Sequence, residues 1–239
     1  MKESDFPIFS EAVRDFWRTR ARQGEDQRLR GVQDQGARST VTGGKQMDGF
    51  IRTLATRMVA VGVAESWIYA GRRRSELPGY FRPTKEWDIV VVRNGHLLAA
   101  IELKSQIGPS FGNNFNNRTE EAMGSALDIW TAFREGAFGD SPAPWLGYLF
   151  LLELCDRSQE PIKVREPHFK VFPEFREISY ARRYEIFCRK LVRERQYSGS
   201  CFLVAQKDDA EDVRNYMEPA EDLSARRFME GLLRHVAQR

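Results

Sequence analysis

The chain has 239 residues, of which 41% are hydrophobic and 30% are charged, and its net charge at pH 7 is +3. This length and apolar content suffice for one full hydrophobic core, so we expect a single domain over residues 1–239. The mild basicity is compatible with nucleic-acid binding but does not by itself indicate it. The longest apolar run, Trp145–Leu152, is too short to span a bilayer, which argues against a transmembrane protein.

Cysteine usage and the first residues bear on the cellular compartment. The three cysteines, Cys155, Cys188 and Cys201, are odd in number and far apart, which indicates reduced thiols and not a disulfide framework. The first residues show no secretory signal pattern. We therefore expect a cytoplasmic protein that makes no use of a membrane.

The hydrophobic pattern changes between helix and strand periods along the chain. The predicted helices are Phe6 to about Arg22, Met47–Val61, Thr119 to about Glu135, Ser179 to about Gln196 and about Ser224–Ala237. The predicted strands are Trp67–Ala70, Trp87–Arg93, His96–Ser105, Trp145–Leu154 and Ser200–Gln206. This order predicts an α/β fold in which helices flank a mixed β-sheet, with a core over about residues 46–206.

The stretch Gln23–Gly44, after the first helix, is polar and contains several glycines. It has little apolar surface to bury, so residues 1–45 are predicted to form the first helix and a flexible arm. Its arginines, Arg28, Arg30 and Arg38, leave two interpretations open. The arm is either a solvated loop or a segment that becomes ordered on DNA.

Two apolar, β-branched runs flank Asn94-Gly95, which is a strong hairpin signal. Asp88 stands where the first run begins, and Glu102 and Lys104 stand where the second run ends. A hairpin places these ends side by side. Two carboxylates and a lysine gathered at one end of two apolar strands therefore indicate a functional site.

The register of this hairpin decides whether the charged side chains share a face, because side chains alternate along a strand. A strict two-residue turn places Asp88 and Glu102 on opposite faces. A three-residue loop closed by a left-handed Gly95 pairs Asp88 with Ala100 and places Asp88, Glu102 and Lys104 on one face. We favour the second register because only there can the three charges act together.

Carboxylates that are diagonal neighbours, roughly 7–8 Å apart at the backbone, can share one cation. Asp88 and Glu102 are therefore predicted to bind Mg²⁺, with the carbonyl of Leu103 as a further ligand. Such a metal polarises a scissile phosphate and lowers the pKa of a bound water, and Lys104 is placed to orient or activate that water. The alternative is a surface salt bridge, which contributes about 0–1 kcal/mol to stability.

Two further stretches have the composition of DNA contacts. Between Gly71 and the hairpin lie five basic residues with interleaved aromatics, which suggests phosphate contacts as an alternative to a plain solvated surface. These basic residues are Arg72, Arg73, Arg74, Arg82 and Lys85. After the hairpin, a predicted loop carries four asparagines and an arginine: Asn113, Asn114, Asn116, Asn117 and Arg118. Asparagine can pair with adenine and arginine with guanine, although turn and capping roles also suit asparagine.

The pattern Asp88…Glu102-Leu-Lys104 resembles the PD-(D/E)XK nuclease superfamily, with Trp87 in place of the usual proline. Longer stretches between about Gly43 and Arg195 resemble the XhoI family of type II restriction endonucleases. These stretches are Gly43–Phe50, Leu77–Asp88, Glu102–Ser105, Gly108–Arg118 and Ser179–Glu185.

The resemblance implies an Mg²⁺-dependent endonuclease of a restriction–modification system, paired with a DNA methyltransferase. XhoI-like enzymes cut double-stranded DNA at CTCGAG after the first C and leave 5′ overhangs with 5′-phosphate ends. A palindrome is read by a two-fold dimer, so a homodimer is expected. The resemblance also implies that Asp48, on the first core helix, supports the metal site; an ordinary surface or capping acid is the alternative. A structure-specific repair or recombination nuclease of the same superfamily, or a catalytically silent DNA-binding module, remains as an alternative function.

Overall fold

The computed structural model describes residues 7–29, 45–71, 73–207, 209, 211–213 and 215–237. The α-helices are α1 (Ser10–Leu29), α2 (Asp48–Ala60), α3 (Phe111–Arg134), α4 (Asp156–Gln159), α5 (Tyr180–Arg193) and α6 (Ala225–Ala237). The strands are β1 (Ile68–Ala70), β2 (Glu76–Pro78), β3 (Thr84–Glu86), β4 (Ile89–Arg93), β5 (His96–Gln106), β6 (Trp145–Glu153) and β7 (Gly199–Ala205). Within the described ranges, no helix has both the length and the apolar character needed to cross a membrane.

A five-stranded sheet with the order β1-β4-β5-β6-β7 forms the centre of the fold. The strands β1, β4 and β5 pair antiparallel, whereas β5, β6 and β7 pair parallel. The predicted α/β fold with a mixed sheet flanked by helices is thereby confirmed. Because β6 lies between two parallel neighbours and is covered on both faces, nearly all of its residues are buried, as its continuous apolar run indicated. The strands β2 and β3 form a separate antiparallel pair that was not predicted.

The two faces of the sheet are covered by different helices. On one face, Ile101 and Leu103 of β5 pack in a layer with apolar side chains of α1, α2 and α6. On the other face, Ala100 packs in a layer with side chains of α3 and α5. Since strand side chains alternate, Glu102 and Lys104 point to the α3–α5 face. The helices of that face therefore form the surroundings of the predicted site.

The hairpin turn has two residues, so the predicted three-residue loop is wrong. Asn94 and Gly95 both adopt left-handed backbone, with φ of 51° and 80°, as a tight hairpin turn requires. The observed pairs are Arg93–His96, Val92–Leu97, Val91–Ala99, Val90–Ala100 and Ile89–Ile101. Leu98 is the additional residue of a bulge, and the bulge shifts the register by one. Extending this register by one residue places Asp88 beside Glu102, on a common face after all.

The bulge has a packing reason. Leu98 and Ala99 are consecutive residues, yet both belong to the layer with α1, α2 and α6. A regular strand would send one of them to the opposite face. The additional residue lets both pack in the same layer. It thereby determines which face of the sheet each later side chain of β5 points to.

Helix α3 begins at Phe111 and not near Thr119, so the predicted asparagine loop is in fact helical. Asparagine is a weak helix former, but the cost is small compared with aromatic packing. The ring of Phe111 stacks on Tyr180 of α5 at a centroid distance of 5.7 Å, and Phe115 meets Tyr184 edge-on at 4.9 Å. These contacts fix the first turns of α3 against α5.

Helix α1 also differs from its prediction, because it extends to Leu29 instead of ending near Arg22. The added segment contains two glutamines, a glutamate, an arginine and a leucine, which are good helix formers, and these outweigh its single glycine and aspartate. The first part of the predicted arm is therefore helical. Its remainder, residues 30–44, lies outside the described residues, as does any ordering of it on DNA. Helix α6 matches the prediction for the C-terminal segment.

Candidate active site

The backbone around Asp88 turns its carboxylate toward β5. The Asp88 N–H donates to the carbonyl of Ile101 at 3.2 Å, and the Leu103 N–H donates to Asp88 Oδ2 at 2.6 Å. The side chain of Asp88 thus accepts a hydrogen bond from the backbone of β5, one residue before β4 begins. The other carboxylate oxygen, Oδ1, accepts no hydrogen bond from the described residues. Asp88 is held rigidly and still has one oxygen available to a ligand.

Glu102 is 4% exposed and is held by two lysines. Lys85 Nζ, from β3, donates to Glu102 Oε2 at 2.6 Å, and Lys104 Nζ forms an ion pair with Oε1. The ammonium of Lys85 also lies 4.4 Å from the ring centroid of Trp87. A buried carboxylate needs such partners, because an unpaired buried charge is strongly destabilising.

Burial and neighbouring charges shift the pKa values of the two carboxyl groups in opposite directions. Burial, and then the negative charge of Glu102, raise the pKa of Asp88 to about 6, against the opposing effects of Lys104 and the Leu103 N–H. Burial also acts to raise the pKa of Glu102, but Lys104 and Lys85 outweigh it and hold that pKa below its usual value. Near neutral pH, Glu102 is therefore ionised, and Asp88 is the group that exchanges a proton.

The lysine on β5 stays charged. Burial acts to lower the pKa of Lys104, but the carboxylates of Glu102 and Asp88 outweigh this and raise it above its usual value. The positive charge of Arg118, at the start of α3, acts in the opposite direction on the same pKa. This interaction places Arg118 in the electrostatic surroundings of the site.

The residues present fit a hard divalent cation. Carboxylate oxygens are the ligands preferred by Mg²⁺, which is usually bound by one or two carboxylates together with waters and substrate phosphates. Asp88 and Glu102 provide such a pair. Among the described residues there is no cluster of three or more histidine, cysteine or acidic side chains suited to a metal. The donor set thus fits a metal that takes its remaining ligands from solvent, from the backbone or from a bound substrate.

The structure does not bring Asp48 to this pair. It is the first residue of α2, whose buried side chains belong to the layer on the opposite face of the sheet. Burial raises the pKa of Asp48, and the charges that oppose this are those of Arg52 and Lys45, with no contribution from the hairpin. Its supporting role stays a prediction.

The end of β5 anchors the start of α3. Gln106 Nε2 donates to the carbonyl of Phe111 at 3.1 Å, and the hydroxyl of Tyr184 donates to Gln106 Oε1. Gln106 is two residues beyond Lys104 and is 3% exposed. The strand that carries Glu102 and Lys104 therefore also positions the helix that carries the asparagines. Gln106 was not predicted as a site residue, although it follows Glu102 and Lys104 at intervals of two residues and so lies on the same face of β5.

The predicted base-reading residues lie on the first turns of α3. Three of them are exposed, namely Asn113, Asn116 and Asn117. Asn114 and Arg118 are partly exposed and lie one helical turn apart on one side of the helix. The Arg118 NH1 group also pairs with Glu121 Oε2 at 2.6 Å. Sequence reasoning identified this segment but not its helical conformation.

The predicted basic loop is divided by the structure into different environments. Arg73 is exposed, and Arg74 lies 5.9 Å from the ring centroid of Tyr69. Arg82 is paired with Asp128 of α3, and Lys85 with Glu102. Arg72 lies outside the described residues. Lys85 thus belongs to the cluster around Asp88 and Glu102, which the sequence did not reveal because the β2–β3 pair was not predicted.

Known proteins are similar to this chain in sequence over most of its length. The family model described as restriction endonuclease XhoI matches residues 26–217. The type II restriction enzyme BstVI of Geobacillus stearothermophilus is 55% identical over 209 residues, which cover 85% of this chain and 92% of the relative. The type II restriction enzyme XhoI of Xanthomonas vasicola is 46% identical over 183 residues, covering 75% of this chain and 72% of the relative. No solved structure matches the chain.

A third relative is the type II restriction enzyme AbrI of Azospirillum brasilense, which is 48% identical over 160 residues, or 67% of this chain and 72% of the relative. The family match covers well over half of the chain and includes Asp88, Glu102 and Lys104. With the acidic pair and its lysines at the open end of the β4–β5 hairpin, the chain belongs to the XhoI restriction endonuclease family.

Proposed function

We propose that this chain is a type II restriction endonuclease that makes Mg²⁺-dependent double-strand cuts at a short palindrome. The expected site is CTCGAG or a related sequence, and the expected products carry 5′-phosphate ends. Family membership supports the coarser statement, site-specific cleavage of DNA with a divalent metal. The observation that carries the proposal is the pair of the half-buried Asp88 and the buried Glu102 beside Lys104 and Lys85, in a chain of this family.

The carboxylates of Asp88 and Glu102 would hold the metal, with the Leu103 carbonyl as a further ligand. When bound, Mg²⁺ would polarise the scissile phosphate and lower the pKa of a bound water. The protein contributes rigidity: the Leu103 N–H fixes one oxygen of Asp88, and both lysines fix Glu102. Asp48 is proposed as a supporting acid.

Charge balance defines the part played by the lysines. In the absence of metal and DNA, two ionised carboxylates and two ammonium groups sum to zero. A divalent cation leaves an excess of two positive charges, which the phosphates of DNA can neutralise. Lys104, whose pKa is raised, remains protonated and orients the attacking water or stabilises the phosphate charge. Lys85 can exchange its contact with Glu102 for a contact with phosphate.

The first turns of α3 are proposed to read bases in the major groove, which admits an α-helix. The exposed amides Asn113, Asn116 and Asn117 are available there together with Asn114 and Arg118. The basic side chains of the β1–β3 region, Arg72, Arg73, Arg74, Arg82 and Lys85, are proposed to contact phosphates and fix the register on DNA.

The biological setting follows from the same proposal. A palindromic site calls for a two-fold homodimer, so that each subunit cuts one strand. A companion DNA methyltransferase would protect the host's own sites. The enzyme would act in the cytoplasm, where incoming foreign DNA appears.

Digestion of unmethylated phage DNA with Mg²⁺, followed by sequencing of the cut ends, tests the proposal. We expect discrete fragments that all end at one palindrome, and no cleavage by a Glu102→Gln variant that is shown by circular dichroism to be folded and that still binds DNA. Nicking that follows DNA structure and not sequence would instead indicate a repair or recombination nuclease. DNA retardation without any cleavage would indicate a binding module.

A further inference from the structure

The turn between β2 and β3 displays two aromatic rings to solvent. Tyr80 is 53% exposed and Phe81 is 66% exposed. Their rings form an edge-to-face pair with centroids 5.0 Å apart and an interplanar angle of 84°. Single apolar side chains on a protein surface need no explanation, but two adjacent large rings at the tip of a hairpin do.

A buried carboxylate holds this turn in place. The side chain of Asp128, on α3, is 5% exposed. It accepts hydrogen bonds from the N–H groups of Tyr80 at 2.8 Å and Phe81 at 2.9 Å, and from Arg82 Nε at 2.6 Å. A Cβ on Gly79 would come within 2.7 Å of Asp128 Oδ2, so only glycine fits there. The turn is thus rigid, although the rings that it displays are not packed in the core.

The same hairpin reaches the active site at its other end. Lys85, four residues after Phe81, donates to Glu102. Four residues of extended chain span at most about 14 Å. Since base pairs in DNA are stacked about 3.4 Å apart, a duplex with its scissile phosphate at Glu102 has about four base pairs within reach of the turn.

We propose that Tyr80 and Phe81 form a DNA-contacting element that presses against the base stack within about four base pairs of the scissile phosphate. Apolar wedges of this kind unstack base steps and kink the duplex, and aromatic rings stack on bases of any identity. The rigid turn lowers the entropy lost on binding, because the rings are already oriented. This inference rests on the proposed endonuclease function and adds a position-determining element to it.

The test uses the full-length enzyme with Ca²⁺ in place of Mg²⁺, and duplexes with 2-aminopurine at successive positions around the cleavage site. We expect wild-type binding to raise the fluorescence at one or two of these positions. Phe81→Ala should abolish this rise and increase the Kd about tenfold, equivalent to about 1.4 kcal/mol. Tyr80→Ala should have a smaller effect of the same kind. Melting temperatures should be unchanged, because both rings are exposed.

The matched control is Val59→Ala, which removes an exposed apolar side chain from α2 on the opposite face of the sheet. It should leave both the fluorescence and the Kd unchanged. Wild-type binding without any fluorescence rise, or a Phe81→Ala variant whose Kd stays within twofold of wild type, would overturn the inference. If Phe81→Ala converts a dimer to a monomer in sedimentation velocity, the rings belong to a contact with a second copy and the inference also falls. Normal site-specific cleavage by the wild type alongside these results would leave the endonuclease function intact.

Discussion

Removing the carboxylate of Asp128 should destabilise the protein without touching the acidic pair. The substitution Asp128→Ala leaves two backbone N–H groups and one guanidinium without their acceptor. Hydrogen bonds to a charged group contribute about 1.5–3 kcal/mol each, but the exposed turn lets the freed donors return to water. We therefore expect a loss of about 2–3 kcal/mol in the free energy of unfolding. For a chain of this size, that corresponds to a fall in Tm of about 5–10 °C.

The matched control for this prediction is Arg82→Ala, which removes the partly exposed partner and leaves the two backbone hydrogen bonds to Asp128 in place. Its cost should stay below about 1 kcal/mol, as for other exposed ion pairs. Thermal unfolding by calorimetry and urea titration measures both. If Asp128→Ala destabilises the protein no more than Arg82→Ala, the carboxylate does not hold the turn.

The pH dependence of the Asp128 effect has a definite sign. Burial acts to raise the pKa of Asp128, but the Phe81 N–H, Arg82 and the Tyr80 N–H outweigh it and hold that pKa below its usual value. An acid with a lowered folded pKa contributes stability that is fully present above its unfolded pKa of about 3.9. That contribution is lost as the pH falls through the lower folded pKa. The difference between wild type and Asp128→Ala should therefore shrink below about pH 4; a constant difference would refute the electrostatic reasoning.

Three further predictions concern the active site. Burial and Glu102 raise the pKa of Asp88 to about 6, so a metal must displace a proton from Asp88 in more acidic solution. The Mn²⁺ affinity measured by calorimetry should therefore fall about tenfold per pH unit below pH 6. An affinity that does not change with pH would contradict this. Lys85→Gln removes a positive charge from Glu102 and should strengthen Mn²⁺ binding several-fold without DNA while weakening DNA binding; unchanged metal affinity would exclude Lys85 from the site. Asn114→Ala and Arg118→Ala should reduce affinity for the cognate site more than for unrelated DNA in competition assays, whereas equal losses would identify these side chains as phosphate contacts.

Much of the framework was readable from local sequence. The apolar run of β6 predicted a buried central strand, and Asn94-Gly95 predicted the hairpin tip. These features depend on backbone torsion preferences and on the spacing of apolar residues, both of which are properties of residues close together in the sequence. The start of α3 was not readable in this way, because rings of α5, distant in sequence, stabilise a segment that is locally a weak helix former.

By itself, the sequence identified the candidate residues for the chemistry: two carboxylates and a lysine at the ends of two apolar strands, in a chain of recognisable family. Only the tertiary structure decided how they meet. The bulge at Leu98 arises from packing against α1, α2 and α6, and it brings Asp88 beside Glu102 through a register that the turn alone does not specify. The contact of Lys85 with Glu102 likewise joins separate strands. Both depend on contacts between segments distant along the chain, where local torsion preferences carry no information.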